Sequence, residues 1–352
     1  MFFASDNSGP VHPEVLQVLA EANQGYQMGY GVDDLMDEVR DRIRTLFDAP
    51  DAAVYLVVNG TSANALALAT LADPWQTVFC TPVSHIHRDE CNAPEFYSGA
   101  KLTLVEGDDK MNTKALRAAI EAEGNRGVHG PQRGPVSITQ VTECGTIYRL
   151  DEIRALGDMA QSYGLPLHLD GARFANALVA LGCSPAEMTW KSGVDVVSFG
   201  GTKNGLMGVE AVVLFDPAKA QEFELRRKRG GHLMSKHRYL SAQMAAYLRD
   251  DLWLSSARMA NDNCTRLADG LRAAGATFIY EPQANMIFAR LPRHLHRRLI
   301  YAGAVYHMEG EELDGPDENA LLSCRLVCDW SMQQAEIDRF LALVSNTASA
   351  AG

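Results

Sequence analysis

Short apolar runs alternate with longer stretches of helical periodicity over the first 245 residues of the chain. Apolar and β-branched runs of about four to eight residues predict strands, and the longer stretches between them predict helices. The seven predicted strands are VYLVV (54–58), TVFC (77–80), KLTLV (101–105), SITQVT (137–142), LPLHLD (165–170), VDVVSF (194–199) and AVVLF (211–215). Parallel strands need crossover connections, which cover both faces of a sheet. The pattern therefore predicts an α/β domain with a mostly parallel seven-stranded sheet and helices on both faces.

The pattern changes after residue 216, where long helical segments rich in Arg, Leu and Ala begin. A second set of apolar runs follows them: TFIYEP (277–282), NMIFARL (285–291) and LLSCRLV (321–327), before a closing helix at about 333–344. We therefore predict a small C-terminal α+β domain. The expected division is a large domain at residues 1–245 and a small domain at residues 246–352.

The charge of the chain limits the kinds of molecule that the protein is expected to bind. The 352 residues include 32 Lys and Arg against 44 Asp and Glu, which gives a formal net charge of −12. Duplex binding requires a basic face that neutralises phosphates, so we expect a small-molecule partner and no nucleic acid. The sequence contains no apolar stretch of about 18 residues and no signal-peptide pattern, so we expect a cytoplasmic protein without membrane contact.

The segment NGTSANALALATLA (59–72) joins the end of a predicted strand to a helix of small and apolar residues. Gly60 would allow a close backbone approach, and the unpaired N–H groups at a helix N-terminus favour a phosphate. The alternative is an ordinary helix start that is capped by Thr61 or Ser62.

The segment HLDGARFANA (168–177) places Asp170 at the end of a strongly apolar strand. Ligands collect at the carboxyl ends of the strands in such sheets. Asp170 could hold a proton on the ring nitrogen of a heterocyclic cofactor, as pyridoxal phosphate requires. The alternative is a structural ion pair with Arg173.

The segment SFGGTKNGLMGVEAVVLF (198–215) places Lys203 in a glycine-rich turn between two predicted strands. A lysine whose pKa is lowered by burial can form a Schiff base with an aldehyde. The alternative is an exposed, solvated lysine.

A phosphate-binding turn, an aspartate and a lysine, in this order and each at a strand end, resemble the pyridoxal-phosphate enzymes of the aspartate aminotransferase fold type. The motifs HLDGAR and SFGGTKNG and the opening SDNSGP are similar to those of low-specificity L-threonine aldolases and of the phenylserine aldolase group. The resemblance implies an aminotransferase-like large domain, pyridoxal 5'-phosphate as the cofactor, and cleavage of a β-hydroxy-α-amino acid to glycine and an aldehyde.

The resemblance also implies roles for residues at the cofactor. Lys203 matches the lysine that carries the cofactor, and Asp170 matches the aspartate that pairs with the pyridine nitrogen. Gly60 and Thr61 match the phosphate-binding turn. His85 matches the histidine that stacks on the cofactor ring.

Further matches concern the substrate. Arg325 in SCRLV and Ser5 in the opening segment match residues that bind the α-carboxylate, and Arg173 matches an arginine near both that carboxylate and the cofactor. His129 in GVHGPQ lies where the family has a second active-site histidine. The base that removes the β-hydroxyl proton is left open between His85, His129 and an ordered water.

The segment GGHLMSKHR indicates how subunits could assemble. Related aldolases have an arginine there that reaches the cofactor phosphate of a neighbouring subunit, and Lys236 is the matching residue in this chain. The resemblance thus implies a homodimer or homotetramer with the active site at the subunit interface.

Two alternatives stay open. Another pyridoxal-phosphate reaction, such as β-elimination, uses the same lysine and aspartate. A zinc hydrolase could use His85, His87 and Asp89, which form a His-x-His-x-Asp pattern. The sequence has no third histidine in a matching context, and its seven cysteines contain no Cys-x-x-Cys pair, so we expect no metal.

Overall fold

The computed structural model describes residues 1–308, 310 and 313–345 of the chain. All seven predicted strands of the larger sheet are present, and β4 begins at Gln132 rather than at Ser137. The strands are β1 (Ala53–Val57), β2 (Gln76–Cys80), β3 (Lys101–Leu104), β4 (Gln132–Thr139), β5 (Leu167–Gly171), β6 (Val196–Gly200) and β7 (Glu210–Leu214). Their order in the sheet is β1-β7-β6-β5-β4-β2-β3.

Most neighbouring strands of this sheet are parallel. The pairs β3/β2, β2/β4, β4/β5 and β5/β6 are parallel, whereas β7 is antiparallel to both β6 and β1. A short turn joins β6 to β7, and a short turn can connect only antiparallel neighbours. The predicted mostly parallel sheet is confirmed, and the carboxyl ends of β2, β4, β5 and β6 meet at one edge.

Helices cover both faces of the sheet. They are α1 (Pro13–Ala22), α2 (Asp34–Leu46), α3 (Gly60–Leu71), α4 (His85–Arg88), α5 (Ala93–Ser98), α6 (Thr113–Ala122), α7 (Leu150–Ser162), α8 (Phe174–Leu181), α9 (Pro185–Met188), α10 (Ala220–Arg229), α11 (Arg238–Tyr247), α12 (Leu252–Ala273), α13 (Arg293–Tyr301) and α14 (Gln334–Ser345). Successive side chains of a strand point to opposite faces, and in β7 Val212 and Val213 accordingly belong to different hydrophobic clusters. Both faces of the sheet are therefore buried. Within the described ranges, none of the helices has the length and apolar content needed to cross a bilayer.

A second, four-stranded sheet lies in the C-terminal part of the chain. Its strands are β8 (Thr277–Tyr280), β9 (Met286–Pro292), β10 (His307–Met308) and β11 (Leu321–Val327), in the antiparallel order β10-β11-β9-β8. The predicted runs at 285–291 and 321–327 correspond to its two central strands. The proposed domain boundary at residues 245 and 246 stays a prediction, and residues 346–352 of the predicted small domain lie outside the described part.

The first residues of the chain pack against this second sheet. The backbone N–H of Phe3 donates to Val305 O (2.7 Å), and the N–H of Val327 donates to Phe3 O (2.8 Å). The buried ring of Phe3 lies 4.9 Å from that of Phe340, centroid to centroid. These contacts fix the position of the residues that follow Phe3, including Ser5 and Asp6.

Candidate active site

Asp170 lies near the end of β5, at the middle of the carboxyl edge of the larger sheet. Its side chain is buried, and its two oxygens have separate partners. Oδ1 accepts a hydrogen bond from Ala172 N (3.0 Å), and Oδ2 accepts one from Asn64 Nδ2 (2.8 Å). The strand and these two donors hold the carboxylate in one orientation at the edge of the sheet.

Arg173 pairs with Asp6 and not with Asp170, so the alternative of an Asp170–Arg173 ion pair is wrong. Nε and Nη2 of Arg173 donate to the two carboxylate oxygens of Asp6 at 2.7 and 3.0 Å. Asn285 Nδ2 adds a third hydrogen bond to Asp6 at 3.0 Å. Burial by itself would raise the pKa of Asp6, but the cations of Arg173 and Lys203 lower it.

Lys203 lies in a short 3₁₀ turn, Thr202–Asn204, between β6 and β7. Asn204 anchors this turn because its Nδ2 donates to Tyr247 Oη (2.7 Å) and to Trp253 O (2.8 Å). Gly205 ends the turn with a φ of +100°, and a Cβ there would lie 2.2 Å from the ring of His12. The glycine is therefore required both by the backbone conformation and by the close approach.

The surroundings of Lys203 favour its neutral form. Burial and the nearby Arg173 lower the pKa of the amine. Three acidic groups, Asp6, Asp170 and Glu210, oppose part of this shift. Lys203 is thus enclosed among the charged groups of the site, and the alternative of a solvated surface lysine does not fit this position.

Glu210 stabilises the turn that contains Lys203. It lies at the start of β7, and its Oε2 accepts a hydrogen bond from Gly201 N (2.7 Å). Burial raises the pKa of Glu210 to about 7. Glu210 is not among the residues predicted from the sequence, because a glutamate at the start of a strand gives no signal of its own.

Replacing Glu210 by glutamine is expected to stabilise the cofactor-free protein at high pH. The pKa of about 7 lies above the ordinary value of 4.5, so stability is lost as the pH rises between these values. Glutamine still accepts from Gly201 but carries no charge. We expect a gain of about 3 kcal/mol at most above pH 7 and none below pH 4.5, measured by chemical denaturation. An equal change at both pH values, or a similar gain in the exposed control Glu106→Gln, would contradict this account.

His85 begins α4 and is connected to Asp170 through two further side chains. Its Nδ1 lies 2.8 Å from Glu90 Oε1, which also accepts from Asn64 Nδ2 at 2.9 Å. Asn64 donates in turn to Asp170. The hydrogen bond to Glu90 raises the pKa of His85. Glu90 is not among the residues predicted from the sequence, although a carboxylate five residues after His85 is within reach across a short helix.

Gly60 and Thr61 form the first residues of α3. The N-cap is Asn59, whose side chain accepts from Ser62 N at 2.8 Å, so the alternative of a cap by Thr61 or Ser62 is wrong. A Cβ built on Gly60 would have no heavy atom within 4 Å. The helix N-terminus therefore faces open space that an anion could occupy.

Ser5 and Arg325 lie next to the Asp6–Arg173 pair. Ser5 caps a short 3₁₀ turn by accepting from Asn7 N (3.1 Å). Arg325, on β11 of the second sheet, donates through Nη2 to Ala4 O (3.4 Å). The N-terminal segment thus connects Arg325 to the residues that precede Asp6, the partner of Arg173. The binding of one carboxylate by Ser5, Arg173 and Arg325 stays a prediction.

His129 does not lie in the cluster around Asp170, and its role as a catalytic residue stays a prediction. It is exposed in a 3₁₀ turn, Gly127–His129, that precedes β4. A residue before a parallel strand lies at the amino end of that strand, whereas Asp170 lies at the carboxyl end of β5. The two residues are therefore at opposite edges of the sheet.

Lys236 lies on the exposed surface and is also not part of the assembled cluster. It follows Ser235, whose carbonyl oxygen accepts from Tyr30 N at 3.1 Å. Its expected contact with a neighbouring subunit stays a prediction.

The three residues of the proposed zinc site do not come together. His87 and Asp89 are exposed, whereas His85 lies in the site. Within the described ranges, the one group with metal-ligating potential is His85, Glu90 and Asp170, with ligand atoms within 4.8 Å of one another. Asn64 links Glu90 to Asp170, so hydrogen bonds account for this cluster.

Comparison with protein families gives a match to the beta-eliminating lyase family over residues 3–293. The low specificity L-threonine aldolase of Pseudomonas aeruginosa is 43% identical over 292 residues, which cover 82% of this chain and 84% of that protein. The low specificity L-threonine aldolase of a Pseudomonas species is 37% identical over 352 residues, which cover 99% and 98% of the two chains.

Solved structures have the same fold. The threonine aldolase of Leishmania major superposes with a TM-score of 0.91 at 26% identity and covers 99% of both chains. A serine palmitoyltransferase of Sphingomonas wittichii has a TM-score of 0.74 at 16% identity and covers 99% of this chain and 87% of its own. The latter likeness concerns the fold alone. The predicted fold class is confirmed.

Proposed function

Because the chain belongs to the beta-eliminating lyase family, we propose that it is a pyridoxal-phosphate-dependent aldolase that cleaves β-hydroxy-α-amino acids to glycine and an aldehyde. Relatives along most of the chain are low specificity L-threonine aldolases, which favours substrates of the L-threonine, L-allo-threonine or L-phenylserine type. The observation that carries the proposal is the placement of Lys203 and Asp170 in one cluster at the carboxyl edge of the sheet.

The residues at this edge fit pyridoxal phosphate. The oriented carboxylate of Asp170 suits a protonated ring nitrogen, and the open N-terminus of α3 at Gly60 and Thr61 suits the phosphate. His85 belongs to the same cluster and interacts electrostatically with both Asp170 and Lys203. When bound, the cofactor would supply an electron sink for the pair of electrons released at the substrate Cα.

The substrate carboxylate would be held by Arg325, Ser5 and Arg173. A guanidinium can bind a carboxylate through two hydrogen bonds, and the pair with Asp6 fixes one edge of the Arg173 guanidinium. Holding the carboxylate orients the substrate, and this orientation selects the bond at Cα that is broken. These residues therefore determine the type of reaction.

The lowered pKa of Lys203 gives its amine a second task. An amine with a lowered pKa gives up its proton more readily than an ordinary lysine, so Nζ can accept and return a proton while the substrate is bound. Asp170 and Glu210 would then stabilise the protonated amine.

The name of the matched family favours one competing reaction, β-elimination. We therefore propose to incubate the purified enzyme, loaded with pyridoxal phosphate, with L-threonine and to identify the products. Glycine and acetaldehyde are expected in equal amounts. A keto acid and ammonia without glycine would replace the aldolase by an eliminating lyase.

We further propose that the chain acts as a homodimer or homotetramer whose interface borders the site. An apolar groove of about 650 Å³ lies between α1, α11 and the two site turns, lined among others by Val58, Met207 and Met234. Val58 directly precedes the turn of Asn59 and Gly60, and Met207 follows Lys203 by four residues. A second copy of the chain would cover these apolar side chains and could bring Lys236 to its neighbour's phosphate. A fully active monomer in sedimentation experiments would contradict this arrangement.

A further inference from the structure

Glu143 lies at the carboxyl edge of the larger sheet, in the loop between β4 and α7. This loop follows Thr139, which is the direct partner of Asp170 in the β4/β5 register. Thr142, next to Glu143, is tied down by a hydrogen bond from its Oγ1 to Asp109 Oδ2 (3.1 Å). Glu143 therefore occupies a fixed position at the site, in the loop that follows the strand next to that of Asp170.

Two donors hold one oxygen of the Glu143 carboxyl group. Thr139 Oγ1 and the backbone N–H of His85 both donate to Oε1, each at 2.7 Å. Both hydrogen bonds to other residues fall on the same oxygen, so neither engages Oε2. Glu143 thus connects Thr139, at the end of β4, to His85, at the start of α4.

The electrostatic surroundings of Glu143 suit proton transfer at neutral pH. Burial raises the pKa of its carboxyl group to about 7, and the negative charge of Asp170 adds to this, while the bonds from Thr139 and His85 act against it. Glu143 also interacts electrostatically with Cys80, Cys144 and Tyr148, and its charge raises the pKa of each of these groups. A general base is most effective when its pKa lies near the working pH.

We propose that Glu143 is a catalytic residue that accepts the β-hydroxyl proton of the substrate, an inference that rests on the proposed function. As the Cα–Cβ bond breaks, the electron pair of the O–H bond becomes the second bond of the aldehyde carbonyl. The pair from the Cα–Cβ bond stays with Cα, which later gains a proton and yields glycine. One proton leaves oxygen and one arrives at carbon, so no oxidant or reductant is needed.

The two histidines considered for this role fit it less well. His129 lies at the opposite edge of the sheet. The Nδ1 of His85 is engaged by Glu90, and this hydrogen bond raises the pKa of the imidazole, which favours the protonated form. A protonated imidazole cannot accept the hydroxyl proton. The hydrogen bonds that Glu143 accepts from Thr139 and His85 both go to Oε1, and a pKa of about 7 leaves part of its carboxyl group ionised at neutral pH.

The test compares two reactions of the Glu143→Gln variant, the cleavage of L-threonine and the exchange of protons at Cα of glycine. Glutamine keeps an acceptor for Thr139 and His85 but cannot take up a proton. Cleavage of L-threonine should fall by about 10²- to 10⁴-fold, the usual contribution of a general base. Exchange of the α-protons of glycine in D₂O, followed by NMR, needs no β-hydroxyl base and should stay within about threefold of wild type. Retention of cofactor, followed by visible absorption, should be unchanged.

A second variant tests the role of Glu143 through the pH dependence of catalysis and keeps its carboxylate. Thr139→Val removes a hydrogen bond that favours the ionised form of Glu143, so the acid limb of the kcat/KM profile should move to higher pH. The matched control is Asp195→Asn, since Asp195 is another carboxylate whose pKa is raised by burial but lies at the amino edge before β6. We expect this control to cleave L-threonine at the wild-type rate.

Other results would contradict either the proposed function or the role of Glu143. If the wild-type enzyme forms no glycine and aldehyde, the proposed function fails. If wild type cleaves L-threonine but Glu143→Gln does so equally well, or loses glycine exchange or cofactor to the same extent as cleavage, the role of Glu143 is overturned. An unmoved acid limb in Thr139→Val would also overturn it.

Discussion

Replacing Lys203 by alanine is expected to abolish turnover while the protein stays folded. The amine would carry the cofactor, and removal of such a covalent group typically costs at least about 10³-fold in rate. Folding should not suffer, because burial and Arg173 disfavour the charged amine and its loss removes this cost. The measurements are the rate of glycine formation from L-threonine, the visible absorption after incubation with pyridoxal phosphate, and the thermal unfolding midpoint.

Lys191→Ala provides the control for this experiment. Lys191 is also a lysine in a 3₁₀ turn that precedes a strand, but it is exposed and pairs with Asp48 at 2.8 Å. We expect its activity and its absorption to match those of wild type. An unchanged turnover rate in Lys203→Ala would refute the assignment of the whole site, since no other described lysine lies in the cluster around Asp170.

Replacing Asp170 by asparagine is expected to lower the turnover rate by at least about a hundredfold, or roughly 2.7 kcal/mol of transition-state stabilisation. The amide can still accept from Ala172, but it cannot hold a positive charge on the ring nitrogen of the cofactor. Without this charge the ring withdraws electrons less strongly. We expect cofactor binding to persist, because Lys203 and the N-terminus of α3 are unchanged.

The readout is kcat for L-threonine cleavage together with the visible spectrum of the loaded variant. Asp158→Asn, at an exposed position of α7, makes the same chemical change away from the site and should leave both quantities unaltered. If Asp170→Asn lost the cofactor altogether, the carboxylate would act in binding, and its proposed effect on the reaction would be wrong.

The sequence predicts the sheet well because buried parallel strands consist of nearly uninterrupted apolar residues. The same rule places Asp170, at the end of one such run, and Lys203, in the turn after another, at the edge where ligands bind. The position of His129 could have been judged by this rule too, since it comes before its strand and not after it.

Other parts of the site depend on contacts between distant segments. Asp6 and Arg173 are separated by 167 positions, and Asn64 and Asp170 by 106. No local pattern indicates that these side chains meet. Glu143 was missed for a different reason: a glutamate in a polar loop is normally solvated, and only burial and the bonds from Thr139 and His85 distinguish it.

The anchoring of Phe3 affects when the protein becomes functional during its synthesis. Phe3 bonds to Val305 and Val327, so Ser5 and Asp6 reach their final positions only after β11 has left the ribosome. The Asp6–Arg173 pair would form no earlier, although all seven strands of the larger sheet are complete by residue 214. Such contacts between distant ends of a chain form late in folding. A nascent chain that already has its central sheet would therefore still be unable to bind substrate, and competence would arise in one of the last steps.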